Sequence, residues 1–460
     1  MSNLNPHIFR AYDIRGHVGD QITDEACELI GKAFGSTVRG MYDMDHPRIV
    51  VGGDARTHTP GFIDAVIRGL VSTGCHVLNI GETPSPINYF TICDQGLDGG
   101  IQVTASHNPK DDNGIKLQVR DAVAHSGDDI QILRKRIDAD DFLTGDGQVE
   151  EYDAVTPYSD HIATMFAGVG EGLTVGLDTG NGVAGPVYLD ILEKIGCTVT
   201  GLYIEPDGTF PNHPADPSKA VTLKDLQESV KEHDLDIGLG FDGDGDRLGL
   251  VDEHGNIRSA DEAILLLAQD HLSRHPGKPV VFTVSNSGAL ESEILKWGGR
   301  PVMCIVGHSY VEHTMTHEGA LLGGEQSGHF FCGEDYYPYD DALVAALRIL
   351  KIVSGAGKTL SEMCSEFPTV YQAQELRPHC DDDKKENVIA AAIENFQKNY
   401  PVETMDGGRV DFGDGAWAGI RQSNTSPCLS ICLEARSPDK LDEITLLVME
   451  EMSKYPEVSF

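Results

Sequence analysis

Three polar loops, each following an apolar stretch, contain the side chains of this chain that could do chemistry. The first loop offers a serine hydroxyl, the second a cluster of carboxylates that could hold a hard cation, and the third an acid with a histidine. A nucleophile beside a divalent cation is the arrangement that phosphoryl transfer uses, because the cation neutralises charge on the transferred group. The three loops are residues 104–109, 241–247 and 323–329.

The second loop contains three aspartates at alternate positions, Asp242, Asp244 and Asp246. Together with Glu253 they nearly match the calcium-binding loop of a helix–loop–helix motif. Arg247, however, occupies the position where that motif turns on glycine, and strand-like sequences flank the loop. Because clustered carboxylates repel one another, we predict that they bind one Mg²⁺ per chain, which completes its shell with phosphate oxygens. The alternative is an exposed acidic turn.

The serine loop is less specific by itself. Ser106 and His107 are adjacent, and adjacent residues at a strand end point in different directions, so they do not form a nucleophile–base pair. A loop hydroxyl beside an exposed imidazole is the plain alternative. The position of Ser106 after an apolar strand, with Lys116 downstream, favours a phosphoserine whose charge Lys116 neutralises or whose proton it handles.

A glycine pattern at 180–185 matches the dinucleotide-binding pattern G-x-G-x-x-G, and Glu205 lies 20 residues beyond Gly185. It supports an alternative from another class, an NAD-dependent oxidoreductase. The same stretch is also typical of a tight turn between a strand and a helix. We favour the turn, because this unit also contains the aspartate loop and no dehydrogenase-type catalytic pair stands out.

A strand–helix–strand order recurs three times, beginning near residues 48, 173 and 279. Such alternation predicts parallel neighbours with right-handed crossovers, and these sheets bind ligands beyond the carboxyl ends of their strands. The tail has a different order. We therefore predict an α/β protein, with three related α/β domains with mixed sheets plus a smaller C-terminal α+β domain, around a central cleft. The predicted domains are residues 1–152, 153–256, 257–370 and 371–460.

Composition limits the classes of partner that we expect this protein to bind. The net charge is −38, which opposes binding to nucleic acid or to anionic membranes. The ten cysteines form no Cys-x-x-Cys pair and the N-terminus does not resemble a secretion signal, so we expect a cytoplasmic protein with reduced thiols. The acidic surface suits solubility or a salt-rich cytoplasm. The oligomeric state stays open between monomer and homodimer.

The tail contains one further candidate loop. Arg421, Ser423, Asn424 and Thr425 bring together a guanidinium, hydroxyls and an amide. Free backbone N–H groups in such a loop would add donors for a phosphate. An ordinary polar loop is the equal alternative.

Four motifs in this order resemble the α-D-phosphohexomutase family over essentially the whole chain: the serine loop, the aspartate loop, 324–329 and 421–425. The stretch 9–16 is similar to that family as well. The resemblance implies four domains around a deep cleft and a phosphoserine at Ser106. The implied Mg²⁺ ligands are Ser106, Asp242, Asp244 and Asp246. The implied sources of positive charge or proton transfer are Arg15, Lys116, His308 and His329. The implied substrate contacts are Tyr12, His107, Arg247, Glu325, Ser327, Arg421, Ser423, Asn424 and Thr425.

The reaction that this resemblance implies interconverts hexose 1-phosphate and hexose 6-phosphate, with mannose or glucose as the sugar. Phosphorylated Ser106 gives its phosphoryl group to the sugar phosphate. The resulting 1,6-bisphosphate turns round and returns its other phosphate to the serine. Glucose 1,6-bisphosphate or a similar compound would then be an activator, and hexose phosphates would be the partners.

Two positions depart from the pattern of the bacterial members. Ser285 stands where those members have a lysine, which removes one positive contact to substrate. Gln326 is more similar to phosphoglucosamine mutases, which stay the alternative within the family. The opening stretch 10–13 and the tail loop favour the mannose and glucose group. A non-catalytic sugar-phosphate sensor is the further alternative outside catalysis.

Overall fold

A computed structural model describes residues 4–423 and 426–460. These residues form four sheets, of which three are mixed and the last is antiparallel. The predicted fold class is confirmed, since three α/β units precede a smaller α+β unit. Short 3₁₀ turns at Pro6–Ile8, Arg120–Ala122 and Ala220–Leu223 connect the regular elements.

The first unit contains a six-stranded sheet and the serine loop. Its elements are β1 (Ile14–His17), α1 (Asp24–Tyr42), β2 (Arg48–Gly53), α2 (Thr59–Ser72), β3 (His76–Glu82), α3 (Ser85–Asp94), β4 (Gly99–Val103), β5 (Asp112–Val119), α4 (Asp128–Asp138) and β6 (Gln148–Glu151). The strand order is β1–β5–β4–β2–β3–β6, and β5 is antiparallel to both of its neighbours. The turn from β4 to β5 therefore lies at the carboxyl end of the parallel strands β2 and β4.

The second unit repeats this plan around the aspartate loop. Its elements are α5 (Val155–Met165), β7 (Thr174–Asp178), α6 (Gly185–Lys194), β8 (Thr198–Leu202), α7 (Lys224–Glu232), β9 (Ile237–Phe241), β10 (Leu248–Asp252) and β11 (Ile257–Arg258). The strand order is β11–β10–β9–β7–β8. β11 lies just beyond residue 256 yet pairs with β10. The predicted domain boundaries themselves stay predictions.

The third unit contains the loop that follows β14. Its elements are α8 (Ala260–Arg274), β12 (Pro279–Thr283), α9 (Gly288–Lys296), β13 (Arg300–Cys304), α10 (His308–Glu318), β14 (Leu322–Gly324), β15 (Phe330–Cys332), α11 (Ala342–Ala356) and α12 (Leu360–Cys364). The strand order is β13–β12–β14–β15, with β12 and β14 parallel and β15 antiparallel to β14.

The tail folds separately around its own apolar core. Its elements are β16 (Tyr371–Gln372), α13 (Lys385–Phe396), β17 (Val402–Glu403), β18 (Gly408–Gly413), β19 (Ala416–Gln422), β20 (Leu429–Ala435) and α14 (Pro438–Met452). The strand order is β16–β20–β19–β18–β17. The candidate loop at 421–425 follows the long strand β19 at its carboxyl end.

Helix α3 explains how the first unit joins the next two. Every residue from Ser85 to Ile92 is buried, so the helix has no solvent face and must lie between other elements. Ile87 and Phe90 belong to one apolar cluster with Tyr158 and with the buried residues of α11. This shared core holds the loop-bearing edges of three sheets near one another. Among the described helices, none combines the length and apolarity that crossing a bilayer requires.

The contact between α1 and α2 gives a test of the first unit. A Cβ added to Gly69 in α2 would lie 2.2 Å from the backbone oxygen of Glu28 in α1, and this backbone cannot move aside cheaply. We expect Gly69→Ala to lower the free energy of unfolding by about 2 kcal/mol, through overpacking. Gly61→Ala on the same helix meets open space and is the matched control, with a neutral or slightly stabilising effect. Urea unfolding followed by circular dichroism measures both, and equal midpoints for the two variants would contradict the described packing.

Candidate active site

The serine loop and the aspartate loop meet in the structure. Ser106 and Asp242 follow the buried strands β4 and β9, and the Ser106 hydroxyl donates a hydrogen bond to Asp242 Oδ2 at 2.6 Å. Both side chains are almost inaccessible to solvent. The two sheet edges therefore converge where open α/β sheets bind ligands, beyond the carboxyl ends of the strands.

Arg56 and Asp54, both fully buried, hold the serine loop from behind. Their side chains lie 3.0 Å apart, and Asp54 also accepts a hydrogen bond from the Thr104 hydroxyl, which in turn accepts the N–H of Ser106. Ser106 has a φ of 51°, a left-handed conformation that costs a non-glycine residue about 1–3 kcal/mol. The Arg56 guanidinium donates to the backbone carbonyls of Ser106, Asn108, Pro109 and Asp112, at 2.9, 2.7, 2.6 and 3.0 Å. These bonds keep the serine in its strained position.

The three aspartates form a compact buried cluster. Oxygens of Asp242, Asp244 and Asp246 lie within 4.8 Å of one another, and all three side chains are fully buried. Burial, and then the neighbouring carboxylates, raise the pKa of Asp242 well above its usual range. Asp244 Oδ1 and Asp246 Oδ1 have no hydrogen-bond partner among the described residues. Buried carboxylate oxygens with unused lone pairs fit a hard divalent cation such as Mg²⁺.

Lys116 on β5 neutralises the same cluster. Its ammonium group donates to Asp244 at 2.7 Å and also to Asp246. Burial by itself would lower the pKa of Lys116, but Asp244 and Asp246 outweigh it and raise that pKa well above its usual value. Burial would likewise raise the pKa of Asp246, and Lys116 lowers it. Lysine and cation thus compete for the same two carboxylates.

A second group of side chains links the aspartate loop to the third unit. Arg247 Nε donates to His329 Nε2 at 3.0 Å, and Asp340 lies 2.7 Å from His329 Nδ1 without being aligned for a hydrogen bond. Burial lowers the pKa of His329 to about 4 and that of His308 to about 3. The two imidazole rings lie 5.4 Å apart and both are neutral near pH 7. His308 Nε2 has no hydrogen-bond partner among the described residues and can accept a proton when an anion binds beside it, whereas His329 Nε2 must first release Arg247.

The remaining residues of the first unit surround the serine. Arg15 pairs with Asp13 at 2.6 Å and donates to the carbonyl of Ala105. His107 Nδ1 lies 3.2 Å from the Ser106 hydroxyl, so the expectation that these adjacent side chains point in different directions is wrong, because the left-handed backbone at Ser106 breaks the alternation of a strand. Burial, followed by nearby arginines, lowers the pKa of His107 well below its usual value. The Tyr12 ring lies edge-on against His308 at 5.4 Å.

The third loop places the carboxyl group of Glu325 at the same candidate site. Glu325 is 2% exposed and its Oε1 accepts the N–H of Gly307 at 2.8 Å. Burial raises the pKa of Glu325 and thereby favours the protonated form of its carboxyl group. Ser327 is half-buried in the same turn. The N–H of Leu248 donates to Gly328 at 3.0 Å and ties this loop to the aspartate loop.

The fourth unit contacts the third beside the predicted tail loop. Arg421 Nε lies 3.4 Å from the hydroxyl of Ser285. Arg377 donates to the Ser423 hydroxyl at 3.0 Å, and buried Lys385 donates to the Ser423 carbonyl at 3.0 Å. The predicted contacts at Asn424 and Thr425 lie outside the described residues.

The glycine pattern at 180–185 has a structural explanation. A Cβ at Gly182 would lie 2.9 Å from the carbonyl oxygens of Asp242 and Gly243, and the N–H of Val183 donates to Gly243 at 3.1 Å. The aspartate loop thus fills the space that a dinucleotide pyrophosphate would need. The turn supports the metal loop, as the favoured interpretation requires.

Sequence reasoning missed several side chains that position the site. Arg56 lies three residues beyond the end of β2 in a polar stretch, so its sequence neighbours do not indicate that it is buried. Asp340 follows no motif and meets His329 only through the fold. The missed residues are Asp54, Arg56, Asp340, Arg377 and Lys385.

Strand-end loops bearing a serine, buried carboxylates and convergent cations define a metal-assisted phosphotransferase. The four domain descriptions of the phosphoglucomutase/phosphomannomutase family match this chain: alpha/beta/alpha domains I, II and III over residues 6–144, 156–255 and 259–371, and the C-terminal domain over 375–451. The chain belongs to the phosphoglucomutase/phosphomannomutase family. It is an enzyme of the phosphohexomutase type.

Individual relatives cover nearly the whole chain. A phosphomannomutase/phosphoglucomutase of Pseudomonas aeruginosa is 39% identical over 98% of this chain and 96% of its own length. A phosphoglucomutase of Neisseria meningitidis is 37% identical over 96% of both. The crystal structure of a phosphoglucomutase/phosphomannomutase family protein from Burkholderia thailandensis superposes with a TM-score of 0.90 at 34% identity, over 99% of this chain and 100% of that one.

The competition between Lys116 and a cation gives a test of the cluster. Lys116→Met removes the ammonium group that neutralises Asp244 and Asp246, so we expect a lower unfolding temperature in a chelator. Mg²⁺ should then bind about tenfold more tightly than to wild type, since no lysine has to be displaced. Calorimetric Mg²⁺ titration measures the affinity, and thermal unfolding with and without Mg²⁺ measures the stability.

Lys194→Met is the control, because Lys194 lies on the surface and pairs only with the exposed Asp190 and the nearby Ser159. It should leave the Mg²⁺ affinity unchanged. Equal or weaker Mg²⁺ binding by Lys116→Met would show that the lysine does not compete with the cation.

Proposed function

We propose that this enzyme interconverts the 1- and 6-phosphates of mannose and glucose through phosphorylated Ser106. The observation that carries the proposal is the 2.6 Å hydrogen bond from the Ser106 hydroxyl to Asp242, within a fully buried carboxylate cluster. A serine held in a strained conformation against potential metal ligands is pre-organised to carry a phosphoryl group. Relatives at 37–39% identity that are named phosphomannomutase/phosphoglucomutase support the choice of sugars.

Asp242, Asp244 and Asp246 would hold one Mg²⁺ together with Ser106. When bound, the cation supplies charge neutralisation for the phosphoryl group in transfer. Lys116 leaves the carboxylates and donates to the phosphoryl oxygens instead, because Lys116 and Ser106 contact the same aspartate cluster. Arg15 and Arg247 add positive charge from the two sides of the serine.

The transfer step breaks the bond between Ser106 Oγ and phosphorus and forms one between phosphorus and the free sugar hydroxyl, and Lys116 gives a proton to the departing Ser106 oxygen. The hydroxyl proton passes to His329 or His308, both neutral near pH 7 before ligand binds. An anionic phosphate beside these imidazoles stabilises their protonated form, which makes them better bases in the complex than in the free enzyme. The return transfer runs the same steps in reverse.

The far end of the substrate is held by the tail. Arg421, Ser423, Asn424 and Thr425 are proposed to bind the phosphate that is not reacting, with Arg377 as an additional cation. Lys385 donates to the backbone carbonyls of Ser423 and Ser426 from the buried side and thereby holds the loop. Glu325 and Ser327, with Tyr12 and His107, would contact the sugar in both of its orientations.

The proposed cycle also implies an activator. Glucose 1,6-bisphosphate or a similar compound would be the activator, because it places a phosphate on Ser106. All site residues come from one chain, which is compatible with a monomer or a homodimer. All ten cysteines carry free thiols, in keeping with the cytoplasm we propose.

The phosphoserine proposal is tested by Ser106→Ala. We expect turnover of mannose and glucose 1-phosphates to fall by at least about a thousandfold, because no group remains to carry the phosphate. Incubation with glucose 1,6-bisphosphate should add one phosphate to wild type, by intact mass, and none to the variant. Ser365→Ala, an exposed serine, is the control. Turnover near the wild-type rate in Ser106→Ala would remove the mechanism, and binding without any turnover in wild type would favour the sensor.

The phosphate-binding role of the tail is tested by Arg421→Ala. We expect KM to rise at least about tenfold while kcat changes less than about threefold, since a distal phosphate is bound alike in ground and transition states. Steady-state kinetics with glucose 1-phosphate measures both. Arg436→Ala, in the same unit but away from the loop, should match wild type. An unchanged KM in Arg421→Ala would place the distal phosphate elsewhere.

A further inference from the structure

A cluster of metal-binding side chains lies outside the site described above. His271 and His275, at the end of α8, converge on Glu334 in the loop after β15. His271 Nδ1 lies 3.1 Å and His275 Nε2 lies 2.8 Å from the two oxygens of Glu334. One nitrogen or oxygen from each residue falls within a sphere of 4.8 Å. Two imidazoles and one carboxylate are a donor set that transition ions prefer.

The helix and the loop bring these side chains together for identifiable reasons. Residues four apart share a helix face, so the two histidines project to one side, with ring centroids 5.0 Å apart. Arg348 of α11 donates to the backbone carbonyls of Cys332 and Glu334 and thereby holds the loop. His271 is 4% exposed, and its Nε2 has no hydrogen-bond partner among the described residues. Its ring is therefore oriented by Glu334.

The distances between the ligand atoms are close to those expected around a bound ion. Nitrogen and oxygen ligands around tetrahedral Zn²⁺ are separated by about 3.3 Å, since each lies about 2 Å from the metal. The two distances to Glu334 are only a few tenths of an ångström shorter, as expected when protons occupy the place of an ion. Small side-chain rotations would open the space.

Arg274 is the one competitor within this group. It contacts Glu334 and pairs with Asp270 at 2.6 Å. The Arg274 side chain is 43% exposed, so it can move away from Glu334 into solvent while it stays paired with Asp270. An incoming divalent ion replaces its positive charge.

We propose that His271, His275 and Glu334 form a second metal site, which takes Zn²⁺ or a similar nitrogen-preferring transition ion rather than Mg²⁺. Mg²⁺ prefers oxygen ligands and is served by the aspartate cluster. The bound ion links the end of α8 to the loop that leads into Asp340 and Asp341. It therefore stabilises the segment that carries a side chain facing His329 in the active site.

The test uses the full chain, stripped of metal by a chelator and then held in excess Mg²⁺ so that the aspartate cluster is supplied. Zn²⁺ is titrated by calorimetry, and retained metal is measured after desalting. We expect one equivalent of Zn²⁺ and a higher unfolding temperature. His275→Ala and Glu334→Gln should each weaken Zn²⁺ binding at least about tenfold. Both side chains are more exposed than His271, so these variants should fold.

Two further variants separate this site from others. Arg274→Gln removes the competitor and should tighten Zn²⁺ binding, an effect that no purely structural role of the histidines predicts. His317→Ala removes an exposed histidine beside Glu318 and should change nothing. Equal Zn²⁺ retention by wild type and His275→Ala overturns the proposal, as does Zn²⁺ binding that disappears in Asp244→Asn but persists in His275→Ala. Neither result bears on the phosphoserine mechanism.

Discussion

The site depends on one electrostatic constraint, the burial of three carboxylates within 4.8 Å of one another. Like charges in a region without water destabilise the folded chain unless cations offset them. In the structure the offset comes from Lys116, with Arg247 3.9 Å from Asp242, and a divalent ion would take the place of Lys116 at the carboxylates in a working enzyme. Because Lys116 lies on β5 and the aspartates follow β9, this balance requires the first two units to keep a fixed relation.

The buried pair of Arg56 and Asp54 fixes the position of the serine loop relative to the aspartates. A left-handed serine is unfavourable by itself, and only an over-determined loop keeps it there. Four carbonyl groups accept hydrogen bonds from one guanidinium, which defines the path of the loop from residue 106 to residue 112. A lysine could not replace this arginine, because its ammonium lacks the planar set of donors. These hydrogen bonds thus hold the Ser106 hydroxyl in position beside Asp242.

The two proposed ends of the site belong to different apolar cores. The proposed reacting end is formed by buried side chains from three units that share one core, whereas the proposed phosphate-binding end belongs to a unit with its own core. This unit meets the third through polar contacts that include Gln372 with Asp261 and Arg421 with Ser285.

The amino-acid sequence by itself determined the fold class, the three loops at strand ends and the chemistry of the aspartates, because local periodicity and residue type are properties of short segments. It also indicated that the glycines at 180–185 form a turn. It could not reveal that Arg56 supports the serine loop or that Lys385 holds the tail loop, since these partners are 38 or more residues apart, nor that Asp340 faces His329, since no motif contains Asp340. The cluster of His271, His275 and Glu334 is a further example, since Glu334 lies 59 positions after His275 in the sequence. Only the tertiary structure decided these contacts, because charges acquire partners and shifted pKa values through burial, and burial is set by how separate elements pack.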